Sequence, residues 1–235
     1  MGVFKPVWNE IINGFDFAPL LRILYSAIPA LICITLHELS HGAVAFLLGD
    51  PTAKNAGRLT LNPIRHLDLM GFLMLVVARV GWAKPVPVDM RYFKHPKRGM
   101  ALTALAGPLS NILIAAVFLL LFGFCLPFVS YSQNGTMRVI CELLYLTAQL
   151  SVGLALFNLL PIPPLDGSKV LFSVMPDKGY LWLMRYERYG MLLLIALAYA
   201  GVTGRFLGVA IDKLVSWLMP LAEWGYRLCL SFNFV

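Results

Sequence analysis

Residues 18–49 form one long apolar run, and "ITLHELSHGAVAFLLGD" near its end, Ile34–Asp50, carries His37, Glu38 and His41. About 20 apolar residues suffice to cross a bilayer as a helix. Inside lipid only helices and closed barrels satisfy their backbone polar groups, and ionisable side chains are costly there unless they face a partner or a cavity. This one stretch therefore restricts the chain to a membrane-embedded fold with a polar site within it. His37 and His41 are four apart, so a helix places them on one face, one turn from each other. Two imidazoles in that arrangement can share a metal ion with Glu38 beside it. The alternative is a pair of core histidines bonded to backbone, with Glu38 paired to a buried arginine.

The remaining sequence agrees with a membrane fold. Of 235 residues, 59% are hydrophobic and 13% charged, about half the charged share of a soluble domain. Runs at 100–124 and 139–160 read as further spans, and 189–203 with 206–222 as a closing helical hairpin. The run 69–83 is short and contains Arg79, which reads as a re-entrant segment rather than a span; Arg79 is expected to snorkel or pair. The expected fold is an all-α polytopic membrane protein of about five transmembrane helices, with a short re-entrant or β-hairpin segment between the first two. Residues 1–235 are read as a single integral membrane domain, its core at 18–170 and its C-terminal hairpin at 189–222. The N-terminal "MGVFKPVWNEIINGFDF" lacks the layout of a signal peptide, so the first run is expected to stay as a span.

The net charge of +7 is unevenly distributed. If 69–83 returns to its own side, one face collects Lys54, Arg58, Arg65, Lys84, Arg91, Lys94, Lys97, Arg98, Lys169, Lys178, Arg185 and Arg188. The other face holds Lys5, Arg22, Arg138 and Arg205. Basic excess marks the cytoplasmic side. The basic residues are scattered over short loops and form no continuous footprint, so no nucleic-acid partner is expected.

Two histidines do not complete a hydrolytic zinc site, which takes three protein ligands and leaves the fourth position for water. Asp166 in "NLLPIPPLDG" is the best third candidate; the other reading is a turn or capping aspartate at the interface. Prolines at 161, 163 and 164 break the helix there, and irregular backbone at membrane depth is tolerated where it is buried or lines a cavity. Glu38 precedes Asp50 by twelve residues, about 18 Å of helix, so the two motifs can meet nearer the cytoplasmic face. The four cysteines form no CxxC pair. Cys125 and Cys141 flank one loop, and could be a disulfide or two thiols packed as small hydrophobes. His66 and Asp68 are either second-layer groups at the metal or interfacial turn residues, and His95 reads as solvated. Gly107, Pro108 and Asn111 read as helix packing and polar glue rather than chemistry.

Together these motifs resemble the site-2 proteases, a family of intramembrane zinc metalloproteases. The resemblance rests on HELSH at 37–41 and NLLPIPPLDG at 158–167, and extends to GDPTAKNAGRLTLNP at 49–63, GWAKPVPV at 81–88 and AGPLSN at 106–111. It is to the compact bacterial or archaeal type: the 125–138 loop is too short for a PDZ insertion, and no nucleotide-sensing domain follows. The resemblance implies His37, His41 and Asp166 as ligands of one zinc ion per chain, with Glu38 as catalytic base. It implies that Asn158 orients substrate or helps to stabilise the oxyanion. The implied partners are transmembrane helices of substrate proteins and the lipid bilayer, in a prokaryotic cell (inner) membrane with the active site toward the cytoplasm. A helical substrate must unwind, and GRLTLNP or KPVPV, with strand-like alternation, is expected to pair with it by strand addition. Two rival functions are a non-catalytic zinc-binding membrane protein and a metal transporter. The second would need ligands along a pathway and inverted repeats; the sequence has one cluster and no repeat.

Overall fold

A computed structural model describes residues 18–68, 70, 71, 83–131, 135–176, 189–197 and 199–232. Three helices dominate it: α1 (Ala18–Leu47), α2 (Pro96–Tyr131) and α3 (Gly135–Asn158). All three are long and apolar enough to cross a membrane, over Tyr25–Leu47, Pro96–Val129 and Gly135–Asn158. The short α4 (Asp166–Val174) follows the proline-rich turn, then a helical stretch at 189–197, α5 (Val202–Leu218) and α6 (Pro220–Ser231). The chain is thus all-helical over the described residues, with three candidate spans where about five are expected from hydropathy. In the region read as a hairpin, the described residues form helix at 189–197 and the 17-residue α5, and a separate 12-residue α6 starts at Pro220. Pro220 opens α6 because proline is pre-shaped for a first helical turn and has no N–H to leave unpaired.

The helices α1, α2 and α3 pack on one another; α4 and α6 lie against α2, and α5 against α3. Lipid gives apolar faces no drive to associate, so close contact relies on small residues. At the α2–α6 crossing a Cβ on Gly123 would sit 1.8 Å from the Ala222 carbonyl oxygen, and one on Gly225 2.0 Å from that of Leu120. Beside this crossing Ala115, Leu119, Ala148, Val152, Val215, Leu218 and Ala222 form the buried apolar cluster.

The connection from α1 to α2 is built on buried polar anchors. Gly49, at φ 104°, ends α1 in a conformation few other residues adopt. The fully buried Asp50 carboxylate then accepts from the Thr52 N–H at 2.9 Å and the Asp89 N–H at 2.7 Å, tying the two ends of the connection together. Arg58, counted above as a loop charge, is buried at 6% exposure, and its guanidinium donates to the carbonyls of Arg65, Lys84 and Pro85. GRLTLNP does not form a strand: residues 59–61 are bends, and the Asn62 side chain caps the 3-10 turn Pro63–His66 through the Ile64 N–H. A local side-chain cap wins here over an alternating pattern that has no neighbouring strand among the described residues.

Leu67 and Ala83 form an isolated antiparallel bridge, and the Lys84 N–H donates to the His66 carbonyl at 3.0 Å. The two ends of the 69–83 segment therefore meet. The segment's interior, residues 69 and 72–82 with Arg79, lies outside the described residues. All four cysteines are free thiols, and Cys33, Cys141 and Cys229 are buried.

Candidate metal centre

The centre begins with helix spacing. His37 and His41 leave α1 on the face turned to α2, and their rings stand edge to face with centroids 4.6 Å apart. Gly107 of α2 makes room for them. A Cβ at 107 would lie 2.4 Å from His41 Nε2 and 2.6 Å from His37 Cε1. On the other side of α1, Gly42 admits Leu59 and Val86, which a Cβ would meet at 2.7 and 3.3 Å. Glycines thus let the loop and α2 close on the histidine-bearing turn from two directions.

Asp166 arrives from the opposite end of the sequence. It is the first residue of α4, and Gly167 behind it presses against the end of α3, where a Cβ would sit 2.2 Å from the Leu159 carbonyl oxygen. This close seat brings Asp166 Oδ2 to 3.2 Å from His37 Nε2 and 3.1 Å from His41 Nε2; the two Nε2 atoms are 3.0 Å apart. The other carboxylate oxygen, Oδ1, takes Lys169 Nζ at 3.2 Å. All three residues are buried.

The donor set fits a divalent cation. His41 Nδ1 lies 2.7 Å from the Thr103 carbonyl oxygen, so Nδ1 carries a proton, and in the neutral ring the lone pair is then on Nε2. That lone pair faces an ionised carboxylate and a second imidazole nitrogen. A divalent cation among the three atoms would engage all of them. Atoms sharing one tetrahedral zinc at ~2.0–2.1 Å lie about 3.3 Å apart, close to the spacing found.

Glu38, next to His37, turns its carboxylate toward the loop and accepts the Val86 N–H on Oε2 at 3.0 Å. Asn158 closes α3 with its amide on the Leu154 carbonyl at 3.0 Å. His66 is bonded to the Thr60 carbonyl at 2.9 Å, and Asp68 accepts from the Gly71 N–H at 2.8 Å; both are engaged by their own loop rather than grouped with His37, His41 and Asp166. His95 is exposed. The packing role read for Gly107 and Asn111 is incomplete. Gly107 touches both imidazoles, and Asn111 Nδ2 lies 3.0 Å from His37 Nδ1. Thr103 and Lys169 also stand at the centre. Their signal in the sequence is the spacing Thr103, Gly107, Asn111, four by four on one face of α2.

Gly107→Ala places a methyl group where the imidazoles stand. Overfilling a packed site costs about 1–3 kcal/mol, and here the strain falls on the histidines. Metal titration of the purified variant is expected to show zinc binding at least ~10-fold weaker than wild type, the scale of second-layer lesions. Unchanged affinity would mean that the rings move aside freely.

The model of peptidase family M50 matches residues 25–198. Among curated proteins, "Putative zinc metalloprotease YwhC" of Bacillus subtilis is 37% identical over 79% of this chain and 84% of its own length. "Putative zinc metalloprotease Rip2" of Mycobacterium tuberculosis is 31% identical over 84% of this chain and 74% of its own. A zinc metalloprotease of Methanocaldococcus jannaschii is 29% identical over 73% of this chain and 39% of its own. No solved structure gives a significant match. With buried His37, His41 and Asp166 converging beneath membrane-length helices, and with three quarters of its length matched, the chain belongs to peptidase family M50, the site-2 protease family.

Proposed function

We propose that the protein is an intramembrane zinc metalloendopeptidase that hydrolyses peptide bonds within or next to the transmembrane helices of other membrane proteins. The observation that carries this reading is the convergence of Asp166 Oδ2 with His37 Nε2 and His41 Nε2, the two histidines and Glu38 lying on a helix long enough to span a bilayer. His37, His41 and Asp166 would hold one zinc ion per chain. Bound there, zinc lowers the pKa of water and polarises a carbonyl group. Glu38 takes the proton from the attacking water and returns it to the leaving amine, general acid–base work that needs a carboxylate within hydrogen-bond reach. The Val86 N–H on Oε2 leaves Oε1 for that task. Asn158 has a second amide N–H beyond the one given to Leu154, suited to a developing oxyanion or a substrate carbonyl.

A substrate helix must open to expose a peptide bond. Residues 84–89 run without helix or turn, and the Val86 N–H reaches Glu38. Its extended course beside Glu38 supports KPVPV, rather than GRLTLNP, as the segment along which a substrate is laid, with the Val86 N–H itself held by Glu38. The Leu67–Ala83 bridge holds the loops on either side of 69–83 together. Both loops then share the basic face, which supports a centre turned toward the cytoplasm of a prokaryotic cell membrane. The whole chain acts as one membrane domain.

The test is cleavage of membrane-spanning substrate proteins by detergent-purified enzyme, with product ends mapped by mass spectrometry. Stripping zinc with a chelator is expected to stop cleavage, and added zinc to restore it at sites in or beside the spanning segment. Cleavage that continues in the stripped protein would sink the proposal, and zinc flux into liposomes without cleavage would favour a transporter.

A further inference from the structure

We infer that Asn111 is a positioning residue for the metal centre: its side-chain oxygen accepts the Nδ1 proton of His37 and so keeps the Nε2 lone pair turned toward His41 and Asp166. The inference rests on the zinc-peptidase reading above and concerns a residue on a different helix from any of the three ligands.

Along α2, Thr103, Gly107 and Asn111 recur every four residues and form one stripe. The histidines of α1 meet this stripe in reverse order. His41 pairs with Thr103, both rings rest on Gly107, and His37 pairs with Asn111. At His41 a carbonyl oxygen can only accept, so Nδ1 is protonated, and the neutral ring then leaves Nε2 to ligate. His37 faces an amide that can present either of two ends. With Nδ2 toward His37 Nδ1, at 3.0 Å, the ring proton is forced onto Nε2, the atom that must ligate. In that orientation Asn111 Oδ1 is also buried without a hydrogen-bond partner among the described residues.

Amide oxygen and nitrogen have nearly the same shape, and which end faces a partner follows from the hydrogen-bond network. Turning the Asn111 amide over puts Oδ1 opposite His37 Nδ1. His37 then takes the same state as His41, with Nδ1–H donated and the Nε2 lone pair directed at Asp166. The backbone holds Asn111 in place for this: its carbonyl accepts the Ser151 hydroxyl of α3 at 2.7 Å, and the side chain is fully buried. Histidines that bind metal generally donate their other ring N–H to an acceptor that fixes the tautomer. On α2 the acceptors are a backbone carbonyl for one ring and a side-chain oxygen for the other, and only the second can be changed by substitution.

Two variants separate this role from packing. Asn111→Asp retains an acceptor at the same distance, whereas Asn111→Leu fills the volume and removes it. A packing role predicts that apolar leucine is tolerated in this buried place and aspartate is not. The positioning role predicts the reverse order. Zinc affinity, measured by competition with a chromogenic chelator in detergent, is expected to fall about 10–100-fold in Asn111→Leu and to stay within a few-fold of wild type in Asn111→Asp. Thermal unfolding of the zinc-free proteins tracks folding separately. Leucine binding zinc as tightly as wild type, or aspartate as weak as leucine in a folded protein, would overturn the inference. Nitrogen NMR of zinc-loaded wild type with labelled histidine gives a reading free of any variant. A protonated His37 Nδ1 is expected, and a proton-free Nδ1 would overturn the assignment. Wild type that binds no zinc would remove the peptidase reading itself, whereas wild type that binds zinc beside an unaffected leucine variant removes only this one.

Discussion

Glu38→Gln is expected to lower kcat by about 10²–10⁴-fold, the usual contribution of a general acid–base group, and to leave zinc content at the wild-type level. The substitution is nearly isosteric. Glutamine keeps an oxygen for the Val86 N–H, so the bond from α1 to the 84–89 segment survives. Neither His37, His41 nor Asp166 is altered, and their mutual contacts of 3.0–3.2 Å do not involve Glu38. What is lost is basicity, since an amide cannot take a proton from water at neutral pH. The paired readout is turnover of a transmembrane substrate beside zinc per chain by elemental analysis. Loss of both would mean that the fold or the centre has collapsed. Wild-type turnover in a zinc-loaded Glu38→Gln protein would remove Glu38 from the chemistry and favour a structural role for the metal.

The sequence carried the centre further than it carried the fold around it. His37, His41 and Asp166 were legible because an ionisable group in an apolar run is too costly to stand there without a partner or a task, and the structure brings them together across 129 residues. Glu38 stands out in the sequence by its place between the histidines, whereas its bond to Val86 depends on how the loop folds back over α1. GRLTLNP alternates like a strand, yet the Asn62 cap closes a 3-10 turn there and no partner strand lies beside it among the described residues. Arg58 reads as a cytoplasmic charge by composition, yet three backbone carbonyls hold it inside. Asn111 and Gly107 sit in a membrane helix rich in small and apolar residues. Their relation to the histidines becomes visible only once α2 is known to cross α1 at that level. The C-terminal helices were blurred for a related reason: hydropathy marks apolar stretches, and the break before Pro220 falls inside one.

Asp166→Ala is the substitution that asks whether two distant motifs make one site. Removing a ligand is expected to weaken zinc binding by more than the ~10–100-fold that accompanies loss of a group behind a ligand, so purified protein loses most of its metal and cleavage falls to background. The lesion is local. Gly167 still seats α4 against the carbonyls of Leu159 and Leu160, and the ion pair lost with Lys169 is partly exposed and therefore weak. A folded but metal-poor protein is thus the expected product, checked by elemental analysis beside circular dichroism. Zinc retained in full would keep the two histidines and demand another third ligand. His66 and Asp68 are not poised to replace the lost carboxylate, because His66 is held by the Thr60 carbonyl and Asp68 by the Gly71 N–H. The competing reading of Asp166 as a helix-capping turn residue predicts the opposite pair of results, lower stability with undiminished metal. Zinc content and melting temperature, measured on one preparation of the variant, therefore decide between a ligand and a cap.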